Sequence, residues 1–444
     1  MNRRDMLLST GGIAGVLGLG GYHQRRRIKR WSDQEGLNAT RAMDHPTPEL
    51  ATNLTVTETH LGTALDDLER VVSGARNAAS ETEFAEYRER VIEQAESWFE
   101  NAEATLEETK SKRSEYAELT EAERLDLLGE LRGALRGAGQ LLGLAKFARD
   151  EVTAEEIETE LDTLDDDYRT VSEELDYYAS DITWAIIAYG ELDDVLEGVR
   201  ATISAGRRYV SEQSRRSYAR VLYARRRLDD VRRFIEQLRR DAENGANPEA
   251  MDGTLDDRYR TLRERTKAAL DETDFEYDDD VSTHATEIWT EWIVGPGSDG
   301  SDEYDDGRLA LATRMTAERT AAALSLEAFE DIPRVRYPDD PAVDELDTTA
   351  ADVREAKRRA VDELVSQLDG VGEDPLGRYL YAQLIDDLEW EDRRIGQTLD
   401  DINRDSAEEW TLALETLRRG YLEVAAIAAA IPDVLAVIEG QQGE

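Results

Sequence analysis

The 444-residue chain has no cysteine, four histidines, six lysines and nine prolines. Without cysteine it forms no disulfide, offers no thiolate to a metal and takes no lipid through a thiol. The histidines stand at 23, 45, 60 and 284, and none follows a glutamate by three positions. That excludes the paired Glu-x-x-His ligands of dinuclear carboxylate bundles. Residues 49–247 contain no proline, the residue that ends or kinks helices, so this window is open to long ones. Period-two alternation of apolar and polar residues is almost absent, and no sheet is expected. Gly-x-Ser-x-Gly, P-loop and Rossmann fingerprints are missing too, so no nucleophile–base pair or phosphate cradle can be named.

Apolar residues at helical spacing are abundant. Leu61, Leu65, Leu68, Val72 and Ala75 mark one stripe, and Phe84, Tyr87, Val91, Ala95, Trp98, Ala102 and Leu106 a second. Leu125, Leu128, Leu131, Leu135, Ala138, Leu142 and Ala145 mark a third. With 34% charged residues, this pattern predicts an all-α protein of long amphipathic helices in antiparallel, coiled-coil-like bundles, with an elongated form open. Helices are expected at 48–76, 80–117, 120–149, 152–178 and 180–242, the last two open to being one rod. A second set is expected at 254–273, 281–294, 308–331, 348–369, 376–403 and 406–439. Asn244-Gly245-Ala246-Asn247-Pro248 reads as the linker, since Gly and Asn stop a helix and Pro blocks its restart. The segments are therefore 1–22 as signal or anchor, 23–46 as a basic, polar tether, 47–243 as one bundle and 254–440 as another.

The chain opens Met1-Asn2-Arg3-Arg4-Asp5-Met6-Leu7-Leu8, stays uncharged to Tyr22, then runs Arg25-Arg26-Arg27-Ile28-Lys29-Arg30. The arginine pair ahead of a Met-Leu-Leu start resembles a twin-arginine export signal, which implies Arg3, Arg4, Leu7 and Leu8 as its recognised residues. The glycine-rich stretch Met6–Tyr22 lies at the lower end of the ~17–25 residues a membrane helix needs. No small-residue cleavage site follows it, so an uncleaved membrane anchor is expected, with the body on the extracytoplasmic side. The basic cluster after the apolar stretch supports the opposite orientation, a membrane-anchored body in the cytoplasm, because Lys and Arg collect on that side.

Asp and Glu number 99 against 54 Lys and Arg, for a net charge of −45. An acidic surplus with scarce lysine and no cysteine resembles the proteins of extreme halophiles, haloarchaea above all. At molar salt the Debye length shrinks to ~3 Å, which screens the self-repulsion of such a chain. No characterised functional family is recognised beyond these two resemblances.

Acidic clusters are accordingly read as hydrated surface. The run from Asp299 to Gly307 suggests a calcium loop, but an EF-hand frame on Asp302 would place Tyr304 and Thr313 where oxygen ligands are needed. His284, between Asp280 and Glu287, reads as a surface ion pair. No metal and no cofactor are expected. Gly129, Gly133, Gly137, Gly139 and Gly143 stud an otherwise helical segment and suggest close approach of a neighbouring helix. Tyr177, Tyr178, Trp184 and Tyr189 read as core, with a ligand pocket as the sharper alternative. Tyr421–Ile438 reads as a buried closing helix rather than a second membrane span.

One charge pattern stands out. Residues 207–240 hold twelve arginines and four acidic residues, whereas 151–197 hold seventeen acidic residues and one arginine. Arg225, Arg232 and Arg239 are one heptad apart, as are Arg226, Arg233 and Arg240. The stripe either packs against the acidic segment or forms a candidate face for an anionic partner. Nucleic acid is not expected as that partner, because its binding depends on counterion release and fails at high salt.

These features predict a non-enzymatic, membrane-tethered extracytoplasmic helical scaffold or interaction protein of a halophile. Its expected partners are the membrane, through the N-terminus, and an unidentified protein or a second copy. The alternative is a helical binding module with a small ligand in an apolar pocket near Trp184 or Trp289.

Overall fold

A computed structural model describes residues 33–46, 54–84, 87–210, 214–244, 248–272, 300–329, 343, 346–372, 374–401 and 407–440. The signal residues Arg3, Arg4, Leu7 and Leu8, the stretch Met6–Tyr22, His284, Trp289 and Trp292 lie outside that set. The fold is all-α. Residues 33–41 form α1. The first half continues with α2 (Glu58–Ser80), α3 (Glu89–Ser111), α4 (Glu121–Ala148), α5 (Ala154–Glu173), α6 (Ile182–Tyr209) and α7 (Ser214–Asn244). The second half comprises α8 (Asp252–Glu272), the short α9 (Ser301–Asp305), α10 (Leu309–Ser325), α11 (Ala350–Val371), α12 (Pro375–Asp401) and α13 (Ala407–Ile438).

Helix starts follow the capping chemistry of the sequence. Thr120 and Glu123 form a capping box ahead of α4, and Thr153 with Glu156 does the same for α5. The Asp181 carboxylate accepts the Trp184 N–H at 2.9 Å and opens α6. The residues read as one helix over 180–242 are two helices, which double back and pack on each other. No proline marks that break. The reversal is tied from the far side, where the Ser217 hydroxyl donates to the Gly206 carbonyl at 2.8 Å. A two-residue antiparallel pairing, Tyr178–Ala179 with Glu249–Ala250, joins the α5–α6 connection to the start of the second half. Among the described residues this is the one strand pairing, and it is too small to alter the class.

One apolar core runs through both halves, from Leu37 to Ile438. In the first half α4 packs against α2, α3 and α7, and in the second α13 packs against α10, α11 and α12. Helix α6 crosses the boundary to meet α10 and α12. The seam there is polar. The Asp193 carboxylate of α6 is fully buried and accepts the Leu311 N–H at 3.2 Å, at the first turn of α10. The Tyr177 hydroxyl accepts the Leu309 N–H at 3.2 Å and lies 3.2 Å from Asp193. A carboxylate and a hydroxyl from one half thus satisfy the free N–H groups that open a helix of the other.

Helix α13 is long and apolar enough to cross a membrane by composition, yet Leu414, Tyr421, Ala428 and Val434 are buried among the surrounding helices. It carries Pro432 in its interior, which has no N–H to give to the Ala428 carbonyl one turn earlier. The buried Tyr381 hydroxyl supplies the missing donor to that carbonyl at 3.2 Å.

Residues 33–46, read from the sequence as the end of a tether, are instead part of the body. Leu37 is wholly buried in the common core, and the neighbouring Gly36 lies against Ala350 of the second half. Asp33 accepts the Ala350 N–H at 3.3 Å and the Trp410 ring N–H at 3.1 Å. At the other end the fully buried Lys357 donates to the carbonyls of Thr40 and Met43 at 3.0 and 3.1 Å, just past the C-terminal end of α1. Asp392 balances this ammonium from 2.8 Å, and the Tyr421 hydroxyl donates to the same carboxylate at 2.6 Å.

Candidate interaction surfaces

The arginine stripe lies on α7, and the structure sets it against the acidic residues that precede it in sequence. Arg225 pairs with Glu160. Arg232 reaches Asp167 at 3.7 Å, and Arg239 reaches Asp176 at 3.8 Å while donating to the Glu174 carbonyl at 2.6 Å. The heptad of arginines on α7 meets carboxylates on and just after α5 in rising order, because α5 and α7 run parallel and present side chains at matching spacing. These arginine side chains remain 43–45% exposed. Arg226 turns the other way, to Asp67 of α2 at 3.3 Å and Asp229 at 3.1 Å. Arg240 donates to the Glu236 carbonyl of its own helix at 3.1 Å, and Arg233 is half-buried. The candidate face for an anionic partner is therefore already lined with carboxylates.

The opposite face of α7 carries a second charge cluster, this one inside the core. Asp230 is completely buried and accepts two hydrogen bonds from the Arg132 guanidinium of α4, at 2.7 and 2.9 Å. His60 of α2 completes its coordination at 2.8 Å, with the imidazole tilted against the Phe234 ring. Arg132 also donates to Asp67 at 3.2 Å. Burial alone would raise the Asp230 carboxyl, but the hydrogen bonds from His60 and Arg132 hold it below its usual range. Arg132 likewise pays a burial penalty that Asp230 and Asp67 outweigh. The cluster ties three helices together and reaches the surface through Asp67, which also pairs with Arg70 and Arg226.

In the aromatic run near Trp184, Tyr177 and Tyr189 are buried core and Trp184 packs against them half-buried, whereas Tyr178, also read as core, is 42% exposed. Tyr177 and Tyr189 meet edge to face at 5.2 Å, and Trp184 meets Tyr189 in the same manner at 6.0 Å. Asp193 behind them is pushed up to about 7, first by burial and against the hydrogen bonds from Leu311 and Tyr177. Burial also raises the Tyr177 hydroxyl. Among the described residues no group of three or more His, Asp or Glu is disposed to hold a metal ion. Asp306, in the run read for calcium, pairs with Arg200 and with Arg308.

The glycines of α4 divide into two sets. At Gly137 an added Cβ would stand 3.0 Å from the Trp98 carbonyl oxygen, at Gly139 3.3 Å from Ala219 Cα, and at Gly143 3.0 Å from the Arg215 carbonyl oxygen. Those three allow α3 and α7 their close approach, as the sequence suggests. At Gly129 and Gly133 an added Cβ would meet nothing within 4 Å. A helix-interior glycine costs ~1 kcal/mol relative to alanine, and at these two positions no neighbour within the described chain offsets it.

Gly133 opens onto a groove of about 610 Å³ between α3 and α4, closed at one end by the turn through Tyr116 and Leu119. Trp98 walls the other end with 43% of its surface exposed. The sequence stripe placed Trp98 inward; the core takes Ala95, Phe99, Ala102 and Leu106 instead. Substituting Phe99 for Trp98 keeps the helical period and turns the larger ring outward. Trp98 and Phe99 both fit the helical period, so the sequence carried no signal that distinguished the outward ring from the inward one.

Residues 59–244 match a family described as a domain of unknown function (DUF8262), and residues 252–440 match a second one (DUF8264). Comparison with curated proteins and with solved structures finds no match.

Proposed function

We propose that the protein is a non-enzymatic, membrane-tethered helical scaffold or interaction protein whose body stands on the extracytoplasmic side, in high salt. The observation that carries this reading is the clamp on α1. If Met6–Tyr22 anchors the chain, only residues 23–32 separate the anchor from the clamp at Asp33. Ten residues reach at most about 35 Å, so the second half of the body would be held close to the bilayer. A docked first helix converts a membrane anchor into a defined mounting for a body with one continuous core, which suits a protein that positions partners. Two buried acids support the absence of catalysis: Asp230 is held by Arg132 and His60, and Asp193 by Tyr177 and the Leu311 N–H. The composition supports the salt environment, since −45 charges on one core need screening.

Protease accessibility in intact cells tests the reading. The wild-type body should be digested from outside, and the Arg3→Lys, Arg4→Lys double variant should be protected within. A body protected in both versions would contradict an extracytoplasmic placement.

A further inference from the structure

The groove between α3 and α4 is a part of the described surface that the packing of the chain itself leaves open. Trp98 stands 43% exposed at its wall, although the adjacent Phe99 is packed in the core. Gly129 and Gly133 continue the line of Gly137 along α4, but nothing lies against them. From those observations we infer that this groove docks an amphipathic helix of a partner protein, with its apolar side on Gly133 and Trp98 and lysine or arginine on its flanks.

Shape argues for a helix rather than a compact ligand. The lining follows helical spacing along α3 from Trp98 to Lys112 and along α4 from Glu123 to Gly137. The trough is therefore roughly 20 Å long, enough for three to four turns of a third helix. Gly133, which ends at Cα and has open space above it, allows backbone approach at the 8–10 Å that packed helices adopt. Binding of an amphipathic helix in a groove between two others is a recurrent recognition mode, with apolar anchors at i, i+3, i+4 and i+7.

Charge argues for the flanks. Glu108, Glu115, Glu123, Asp126 and Glu130 border the groove, and the basic residue among them, Lys112, is held by Glu108 at 2.6 Å. An occupant with arginine or lysine beside its apolar face gains contact pairs there, and contact pairs survive the short screening length of molar salt better than long-range attraction does. The arginine stripe of a second copy is a poor occupant, because Arg225, Arg232 and Arg239 already face carboxylates.

This inference deepens the scaffold reading by naming the chemistry of a partner. It is tested in solution, so failure of the export experiment and failure of this one are distinguishable. The probe is a synthetic eighteen-residue helix of about two parts leucine and alanine on one face to one part arginine on the flanks, fluorescently labelled. It is titrated against the purified full chain in molar NaCl, with a control peptide bearing glutamate in place of each arginine. The arginine peptide should saturate the protein and bind at least about tenfold more tightly than the glutamate peptide. Gly133→Leu, which fills open space, should weaken binding about tenfold while the melting temperature holds or rises, and Asp126→Asn with Glu130→Gln should narrow the gap between the peptides. Absence of saturable binding, equal binding of both peptides, or binding indifferent to Gly133→Leu would overturn the proposal. So would self-association seen by sedimentation that Gly133→Leu abolishes while peptide binding persists, or displacement from the groove by a small apolar dye alone.

Discussion

On the inward face of α7 Asp230 is sealed from water and held by Arg132 and His60. On its outward face Arg225, Arg232 and Arg239 meet Glu160, Asp167 and Asp176 at the rim, with 43–45% of each arginine side chain in solvent. One helix thus carries two sets of opposite-charge pairs that differ mainly in burial. A buried pair is costly to assemble and far costlier to break, because the survivor is left charged in a medium that solvates it poorly. An exposed pair exchanges one solvated state for another and is screened by salt, so it contributes only about 0–1 kcal/mol. The comparison teaches that the abundance of arginine on α7 says little about what holds it, and that the one aspartate facing inward matters more than the stripe facing out.

The largest expected effect lies inside. Arg132→Met removes the buried guanidinium shared by two buried carboxylates, leaving Asp230 with His60 and Asp67 with Arg70 and Arg226, and should cost about 3–5 kcal/mol in equilibrium unfolding. Adding Asp230→Leu should recover part of that loss, since an apolar pair of similar volume strands no charge. If Asp230→Leu adds fully to Arg132→Met, the two residues are not coupled as described.

Lys357 offers the same comparison in the second half. Lys357→Met should cost about 3 kcal/mol by stranding Asp392 and freeing the carbonyls of Thr40 and Met43. It should also release residues 33–46, so that limited proteolysis in molar salt cuts there long before the body is degraded. A variant with unchanged digestion would show that α1 is held by Leu37 and the Asp33 bonds without Lys357.

Asp193 sharpens the comparison through pH. Burial raises its carboxyl to about 7, above the value of an unfolded aspartate near ~3.9, so the folded state favours the neutral acid. Its contribution to stability is therefore fully present below about pH 4 and is lost as pH rises through about 7. Asp193→Asn keeps the neutral shape and should flatten that part of the stability profile, gaining on the wild type above pH 7. Measured melting temperatures from pH 4 to 8 that run parallel in the two proteins would refute the assignment. Asp230 behaves oppositely, because its carboxyl is lowered and the stability it supplies is lost on acidification.

Much of the helical framework could be read from the residues. The stripe of Leu61, Leu65, Leu68, Val72 and Ala75 and that of Leu128, Leu131, Leu135 and Ala138 are core as spaced, because a 3.6-residue period maps directly to a buried face. The reversal between α6 and α7 was not legible, since it is fixed by a long-range tie from Ser217 to Gly206 rather than by a local breaker. Trp98 was misplaced because Phe99 satisfies the same period. Lys357, Asp193 and Asp230 could not be singled out among 99 acidic and 54 basic residues, where nearly every charge has a partner at some helical spacing. Their roles depend on which face meets another helix, and that is decided by tertiary packing.

The smallest effect belongs to the stripe, and it supplies the most direct test. Equilibrium unfolding of Arg132→Met and of the triple variant Arg225→Gln, Arg232→Gln, Arg239→Gln should be compared side by side in the same molar KCl. The account predicts that the single inward change lowers stability by about 3–5 kcal/mol, whereas the three outward changes together lower it by less than half as much. A triple variant as damaged as Arg132→Met, or more so, would contradict the claim that burial rather than the number of paired charges decides what holds α7.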